Sequence, residues 1–255
     1  MSGPSHTEWQ AHWTRLDHTA DLEPARRWRH RLIEDLAWRL GPTSVLDLGC
    51  GRGEVLERLS RFPTVRYLVG VDGAESPRLA GLENVRRVRA DLEGPRPTWP
   101  TEVATEKGFD LVVASEVLEH LDDDVATLRR VVHVLAPKGR IVLTLPGGPR
   151  GHLDRHFGHR RHYDARAITR LLDAADLVPV DIRAHGFPFF NIYRLGIVIG
   201  GAYLTHRVLD TTRSRPRLWT RSLFVAFDRL LRFELPRRRW GWQFVVVATP
   251  RRAAG

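Results

Sequence analysis

One segment, Val45-Leu46-Asp47-Leu48-Gly49-Cys50-Gly51-Arg52-Gly53, constrains this chain more than any other. Its first residues are apolar enough for a buried strand, and Glu54 to Leu59 reads as a helix. Three glycines at alternate positions allow a tight turn between the two and let backbone approach a ligand closely. The Gly-Lys-Ser/Thr ending of a phosphate-binding loop is absent, and the spacing is Gly-x-Gly-x-Gly rather than the dinucleotide Gly-x-Gly-x-x-Gly. Asp47 just before the glycines is awkward beside a pyrophosphate and suits a ligand carrying an amino group. Asp72, 21 residues beyond Gly51, ends a second apolar run and is placed to accept both hydroxyls of a ribose.

Short apolar strands alternate with helical patterns along the chain. Strands are expected over 44–48, 66–71, 84–89, 109–114, 140–145, 177–182 and 243–248. Helices are expected over 22–40, 54–59, 122–135, 165–175, 195–209 and 218–231, the fourth capped by Asp164. This alternation predicts an α/β protein with a mostly parallel sheet and helices on both faces. Ligands of such sheets bind at the C-terminal ends of the strands. The 255 residues divide into an N-terminal helical cap (1–40), a core (41–185 and 241–250) and a helical insertion (186–240).

Composition narrows the possibilities. One cysteine, Cys50, excludes a disulfide framework and a multi-cysteine zinc site. The net charge of +10 is uneven: residues 1–150 hold 21 Lys+Arg against 22 Asp+Glu, and residues 151–255 hold 19 against 8. Arg213, Arg215, Arg217, Arg221 and Arg237 to Arg239 could meet phosphates, but no basic and aromatic alternation accompanies them, so nucleic acid is not the expected partner. The N-terminus lacks an apolar signal-peptide region, and the apolar run near 187–203 is broken by Arg194. A cytoplasmic protein is expected, with peripheral membrane contact and a homodimer both left open.

Residues 45–53 and 69–72 resemble the first motif and the ribose-binding acid of the class I S-adenosylmethionine-dependent methyltransferases. The resemblance covers about 40–185 and the last strand. It implies a seven-stranded sheet whose last strand runs antiparallel, S-adenosylmethionine as cofactor, and contacts to it from Asp47, Gly49, Cys50, Gly51, Gly53, Asp72 and Ser115. Asp91 resembles the acid that reaches the adenine amino group, with Leu92 beside it. The chemistry implied is in-line displacement at a methyl carbon, which needs alignment, exclusion of water and a prepared nucleophile.

Ser115-Glu116-Val117-Leu118-Glu119-His120 follows the fourth strand. If a helical turn starts at Ser115, Glu116, Glu119 and His120 share one face. Gly158-His159-Arg160-Arg161-His162-Tyr163-Asp164 supplies further histidines. The combination is similar to two metal-dependent subgroups: polyphenol O-methyltransferases of the ubiquinone pathway and methyltransferases of small-RNA 3′ ends. That resemblance makes Glu116, Glu119, His120 and His159 candidate ligands for Mg or Mn, with His162 in reserve. Without a metal, His120 or His159 is the base, and His162 and Glu116 complete the catalytic set. Glu119, Tyr163, Phe187, Phe189, Phe190 and Tyr193 are candidate substrate contacts, and the aromatics favour an apolar or aromatic small molecule. O-methylation is the leading expectation. N- or C-methylation, an RNA acceptor, and a non-catalytic protein with the same fold are the alternatives.

Overall fold

The computed structural model describes residues 24–75, 77–93, 99–210, 227–231, 233 and 240–251, with side chains at 77 and 202–210 excepted. The chain runs through α1 (Pro24–Leu40), β1 (Ser44–Leu48), α2 (Glu54–Leu59), β2 (Tyr67–Asp72) and β3 (Val85–Arg89). It continues through α3 (Trp99–Val103), β4 (Phe109–Ser115), α4 (Asp124–Val134), β5 (Leu135–Pro146), α5 (His152–His156) and α6 (Ala165–Ala174). It ends with β6 (Leu177–His185), α7 (Phe189–Asp210) and β7 (Gln243–Pro250).

The seven strands form one sheet in the order β3-β2-β1-β4-β5-β7-β6. The first five pair in parallel, and β7 lies antiparallel between β5 and β6. The expected architecture is therefore the observed one. Apolar residues on the two faces of the central strands feed separate cores. Leu46, Leu48, Val112 and Leu143 join the larger core with α4 and α6, while Val45, Leu111, Val113 and Val142 join the smaller one beneath α1 and α2. A strand buried on both faces is apolar throughout rather than alternating, which is why β1 and β4 were legible as short apolar runs.

Local signals set most boundaries. Asp123 accepts from the N–H of Ala126 to start α4, and Asp164 accepts from Ala167 to start α6 as expected. Asp110 joins the bottoms of β1 and β4 by accepting from the N–H groups of Thr43 and Ser44. Two expectations shift. The helix over 122–135 gives way at Leu135 to extended backbone, so β5 begins there and not at Arg140. The register between β4 and β5 slips where Phe109 pairs with Leu135 and Leu111 with Arg140. A Cβ at Gly139 would sit 2.6 Å from the Phe109 carbonyl, so this bulge packs strand against strand at a glycine. The short α3 and α5 have too few apolar repeats to stand out in the sequence.

The insertion departs furthest. Its first helix starts at Phe189, six residues before the expected Leu195, and is kinked at Gly201. The helix expected over 218–231 lies mostly outside the described residues, although 227–230 are helical. Arg213, Arg215, Arg217, Arg221 and Arg237 to Arg239 also lie outside them. α1 and the insertion share an apolar cluster of Ala25, Trp28, Phe190 and Leu231. Trp28 packs on Phe190 with ring centroids 5.1 Å apart, and Arg31 pairs with the buried Asp228 at 2.8 Å. Among the described residues no helix is long and apolar enough to cross a membrane. Trp28→Ala should cost about 3–5 kcal/mol in urea denaturation. Amide exchange should accelerate first in residues 189–201, because the apolar cluster that ties them to α1 is built around Trp28.

Candidate active site

The glycine loop leaves β1 at the C-terminal edge of the sheet. Gly49, Gly51 and Gly53 all have left-handed backbone, at φ +65°, +53° and +89°. Two of them also have no room for a side chain. A Cβ at Gly49 would lie 2.5 Å from Val117, and one at Gly53 2.5 Å from Leu79. Asp72 braces the loop by accepting from the N–H of Gly51 at 2.8 Å and from that of Ala74 at 2.8 Å. Asp47 is 2 % exposed. Burial, then the charges of Asp72 and Glu54, push its pKa well above the usual carboxylate range. Such an acid is relieved by a cationic ligand group, which fits the amino group of S-adenosylmethionine. Asp91 is exposed at the end of β3, where its side chain accepts from Glu93, and Leu92 packs on the larger core. Cys50 belongs to the smaller core, so its backbone faces the loop while its thiol faces inward.

The second loop, after β4, does not form the expected helical turn. Glu116 has φ +55°, which reverses the chain before Val117. Left-handed backbone is costly for a side chain of this size, and the surroundings hold it there. The Glu116 Oε1 accepts from Gln243 Nε2 at 2.8 Å and from Thr144 Oγ1 at 3.2 Å. Ser115 Oγ lies 2.8 Å from the same Thr144 hydroxyl. Glu116 thus reaches back to β5 and β7, while its charge still acts on the Glu119 carboxyl. Thr144 and Gln243 were not singled out from sequence, since each is an unremarkable polar residue within a strand.

Glu119 and His120 sit in tight turns, closed by the N–H of His120 on the Val117 carbonyl at 3.0 Å. Glu119 is fully buried. Neither of its oxygens has a hydrogen-bond partner outside its own residue among those described. Burial, followed by the Glu116 charge, raises its pKa well above the ordinary value. Leaving a buried acid unsatisfied costs stability, so the arrangement suits a ligand. His120 Nε2 is 3.9 Å from a Glu119 oxygen, and the His120 and His159 rings meet edge to face at 4.8 Å. One ligand atom each from Glu119, His120 and His159 falls within 4.8 Å of the others, and so does a second trio of Asp154, His159 and His162. Glu116 belongs to neither trio.

Arginines join the two histidine-bearing loops. The N–H of Arg160 donates to the Glu119 carbonyl at 2.8 Å, and its Nε donates to the His120 carbonyl at 2.6 Å. Arg161 donates to the carbonyls of Leu121 and Asp122. Arg160 also pairs with Asp122 and Arg161 with Asp124, so the cations of the Gly-His-Arg-Arg-His segment meet backbone carbonyls and aspartates rather than solvent. His159 is pulled down to about 4 by burial, against the nearby Asp154, with His162, Arg194 and Arg29 assisting. Burial would raise Asp154, but Arg194 and the N–H of Gly151 hold it below its usual range. Arg194 donates to both Asp154 oxygens at 2.9 Å. The signal for this contact was in the sequence: a lone arginine interrupting an apolar run.

The candidate substrate contacts divide. Tyr163 is buried, its hydroxyl donating to Asp124 at 2.8 Å, and burial with the Asp124 charge raises its pKa. Phe190 is 3 % exposed within the cluster shared with α1, and Phe189 and Tyr193 pack against it. Phe187 is half-buried and meets Trp240 edge to face at 5.3 Å. The structure thus gives Tyr163 and Phe190 packing roles, because a large ring beside an apolar neighbour is buried first.

The methyltransferase-domain family model matches residues 16–182. The chain belongs to that family. Its fold is that of the class I S-adenosylmethionine-dependent methyltransferases, with S-adenosylmethionine the cofactor that fold serves. It is 31 % identical over 134 residues to a small RNA 2′-O-methyltransferase of Rattus norvegicus, covering 48 % of this chain and 34 % of that one. It is 34 % identical over 105 residues to a ubiquinone biosynthesis O-methyltransferase of Bradyrhizobium diazoefficiens, covering 41 % of this chain and 40 % of that one. The chain thus spans well under half the length of either relative. The fold also matches the [4+2]-cyclase SpnF (TM-score 0.57, 16 % identity, 98 % of both chains). A further match is the Burkholderia thailandensis 1,6-didemethyltoxoflavin-N1-methyltransferase bound to S-adenosylhomocysteine (TM-score 0.53, 21 % identity, 98 % of this chain and 92 % of that one).

Two outcomes test these placements. Tyr163→Phe should lower stability by about 1–2 kcal/mol in a denaturant titration while leaving substrate KM unchanged. Glu119→Gln removes an unsatisfied buried acid, so thermal unfolding should show equal or greater stability, up to about 2 kcal/mol. The same variant should lose turnover.

Proposed function

We propose that this protein transfers a methyl group from S-adenosylmethionine to a hydroxyl of a small, apolar or aromatic molecule. The observation that carries the reading is the buried, unsatisfied Glu119 beside His120 and His159. Val117, in the same loop, packs against Gly49 of the cofactor loop, so the two sites adjoin. Methyl transfer breaks the bond from sulfur to the methyl carbon as the acceptor oxygen bonds to it from the opposite side. The bonding pair leaves with sulfur, and the hydroxyl proton must go to a base. Asp72 would hold the ribose, Asp47 the amino group, and Asp91 with Leu92 the adenine; the backbone of the glycine loop would follow the cofactor between them.

The donor set also fits a divalent cation. One carboxylate and two imidazoles are ligands for Mg, Mn or a similar ion, and neither Glu119 oxygen has a hydrogen-bond partner among the described residues. Glu119, His120 and His159 would hold it, and a cation there would lower the pKa of an acceptor hydroxyl. In the absence of such an ion, His120 or His159 is the proton acceptor. Glu116 supports the site from the sheet edge through Thr144 and Gln243. The insertion, which closes over α1 through Trp28 and Phe190, is proposed as the wall of the acceptor side, with Phe187 and Tyr193 nearest its surface.

The ubiquinone-pathway relative favours a phenolic acceptor, and the small-RNA relative with the basic C-terminal part favours RNA as the second reading. The test supplies S-adenosylmethionine labelled in its methyl group with a catechol or a small RNA, with Mg or Mn, and with EDTA. Label on the catechol that disappears with EDTA is expected. Label on RNA alone would transfer the proposal to the second reading, and no S-adenosylmethionine binding by calorimetry would remove it. Asp72→Ala should weaken cofactor binding by about 1–3 kcal/mol, a rise in Kd of roughly tenfold to a hundredfold.

A further inference from the structure

His162 resembles a second candidate base in sequence, yet its bonds give it another task. Its Nδ1 lies 3.0 Å from the Gly148 carbonyl, and its Nε2 lies 3.3 Å from Nδ1 of His159. A carbonyl only accepts, so the His162 Nδ1 must carry a hydrogen. In a neutral ring Nε2 is then a bare acceptor, and the hydrogen between the two rings must sit on His159 Nδ1. That leaves the lone pair of a neutral His159 on Nε2. The same His159 ring meets His120 edge to face and belongs to the trio with Glu119. With Nδ1 committed to His162, Nε2 is the one nitrogen His159 has to offer there.

We infer that His162 is a positioning residue: the chain Gly148 carbonyl, His162, His159 fixes the tautomer that presents the His159 Nε2 lone pair to Glu119 and His120. The inference rests on the proposed function for its consequence, although the tautomer itself does not. Partners on the far nitrogen of a metal-binding histidine commonly set its tautomer and ring orientation. Here the partner is a second histidine rather than a carboxylate. Asp154 lies beside the pair, its oxygen 4.0 Å from His162 Nε2 and beyond hydrogen-bond reach, and is itself gripped by Arg194 of α7. A link therefore runs from the insertion helix to the histidine that serves the site.

The test is imidazole nitrogen NMR on the full chain labelled with 15N-histidine, at neutral pH and without added metal. Both His159 and His162 should be in the Nδ1–H form, the less common tautomer in free histidine. In His162→Phe, His159 should lose that preference. Mn affinity, measured by calorimetry, should fall roughly tenfold to a hundredfold with S-adenosylmethionine affinity unchanged. His162→Gln, whose amide oxygen can accept in place of Nε2, should restore part of the preference. A wild-type His159 in the Nε2–H form would overturn the inference, and so would an unaltered His159 tautomer in a folded His162→Phe. The wild-type spectrum needs no variant to fold. A protein that shows the tautomers but binds no S-adenosylmethionine would sink the proposed function and leave the histidine chain standing.

Discussion

The parallel pairing of β1 with β4 is the constraint on which the site depends. It aligns Leu48 with Ala114, so the glycine loop and the Glu116 to His120 loop leave the same edge of the sheet side by side. Val117 then occupies the space where a side chain on residue 49 would stand. The cofactor loop and the candidate catalytic loop are thus packed on each other, and neither can move without the other. In a reaction that demands collinear donor and acceptor, such contact is what fixes their separation.

Around that contact, polar groups are distributed unequally. Glu116 is satisfied by Thr144 and Gln243, whereas Glu119, three residues on, is fully buried and its oxygens have no hydrogen-bond partner among the described residues. The left-handed backbone at Glu116 separates the two acids, sending one to the sheet edge and one into the histidine cluster. Strained backbone and an unsatisfied buried acid both reduce stability, and they concentrate where binding requires a prepared site. Arg160 and Arg161 hold the loops together through backbone carbonyls, so much of the basic character of this segment is structural.

The insertion is tied to this arrangement at two places. Trp28 and Phe190 join it to α1 by apolar packing, and Arg194 joins it to Asp154 beside the paired histidines. Arg29 of α1 adds its charge toward Glu119 and His159. Elements outside the sheet therefore set the electrostatics of the cluster, even though the ligand atoms come from loops at its edge.

By itself the sequence determined the sheet, the glycine turn and the set of acids and histidines from which the site is made. Apolar runs, glycines and capping aspartates are local signals, and each acts on backbone within a few residues. Only the tertiary structure decided how the candidates divide. Glu116, Glu119 and His120 look alike as members of one helical face until the positive φ at Glu116 parts them. Tyr163 and Phe190 read as pocket walls until packing against Asp124 and Trp28 consumes them. His159 fits the spacing of the resembled motif better than His162, but spacing assigns neither ring a nitrogen or a task. Their different roles follow from which nitrogen meets the Gly148 carbonyl, a contact set by how β5 and the following loop fold back together.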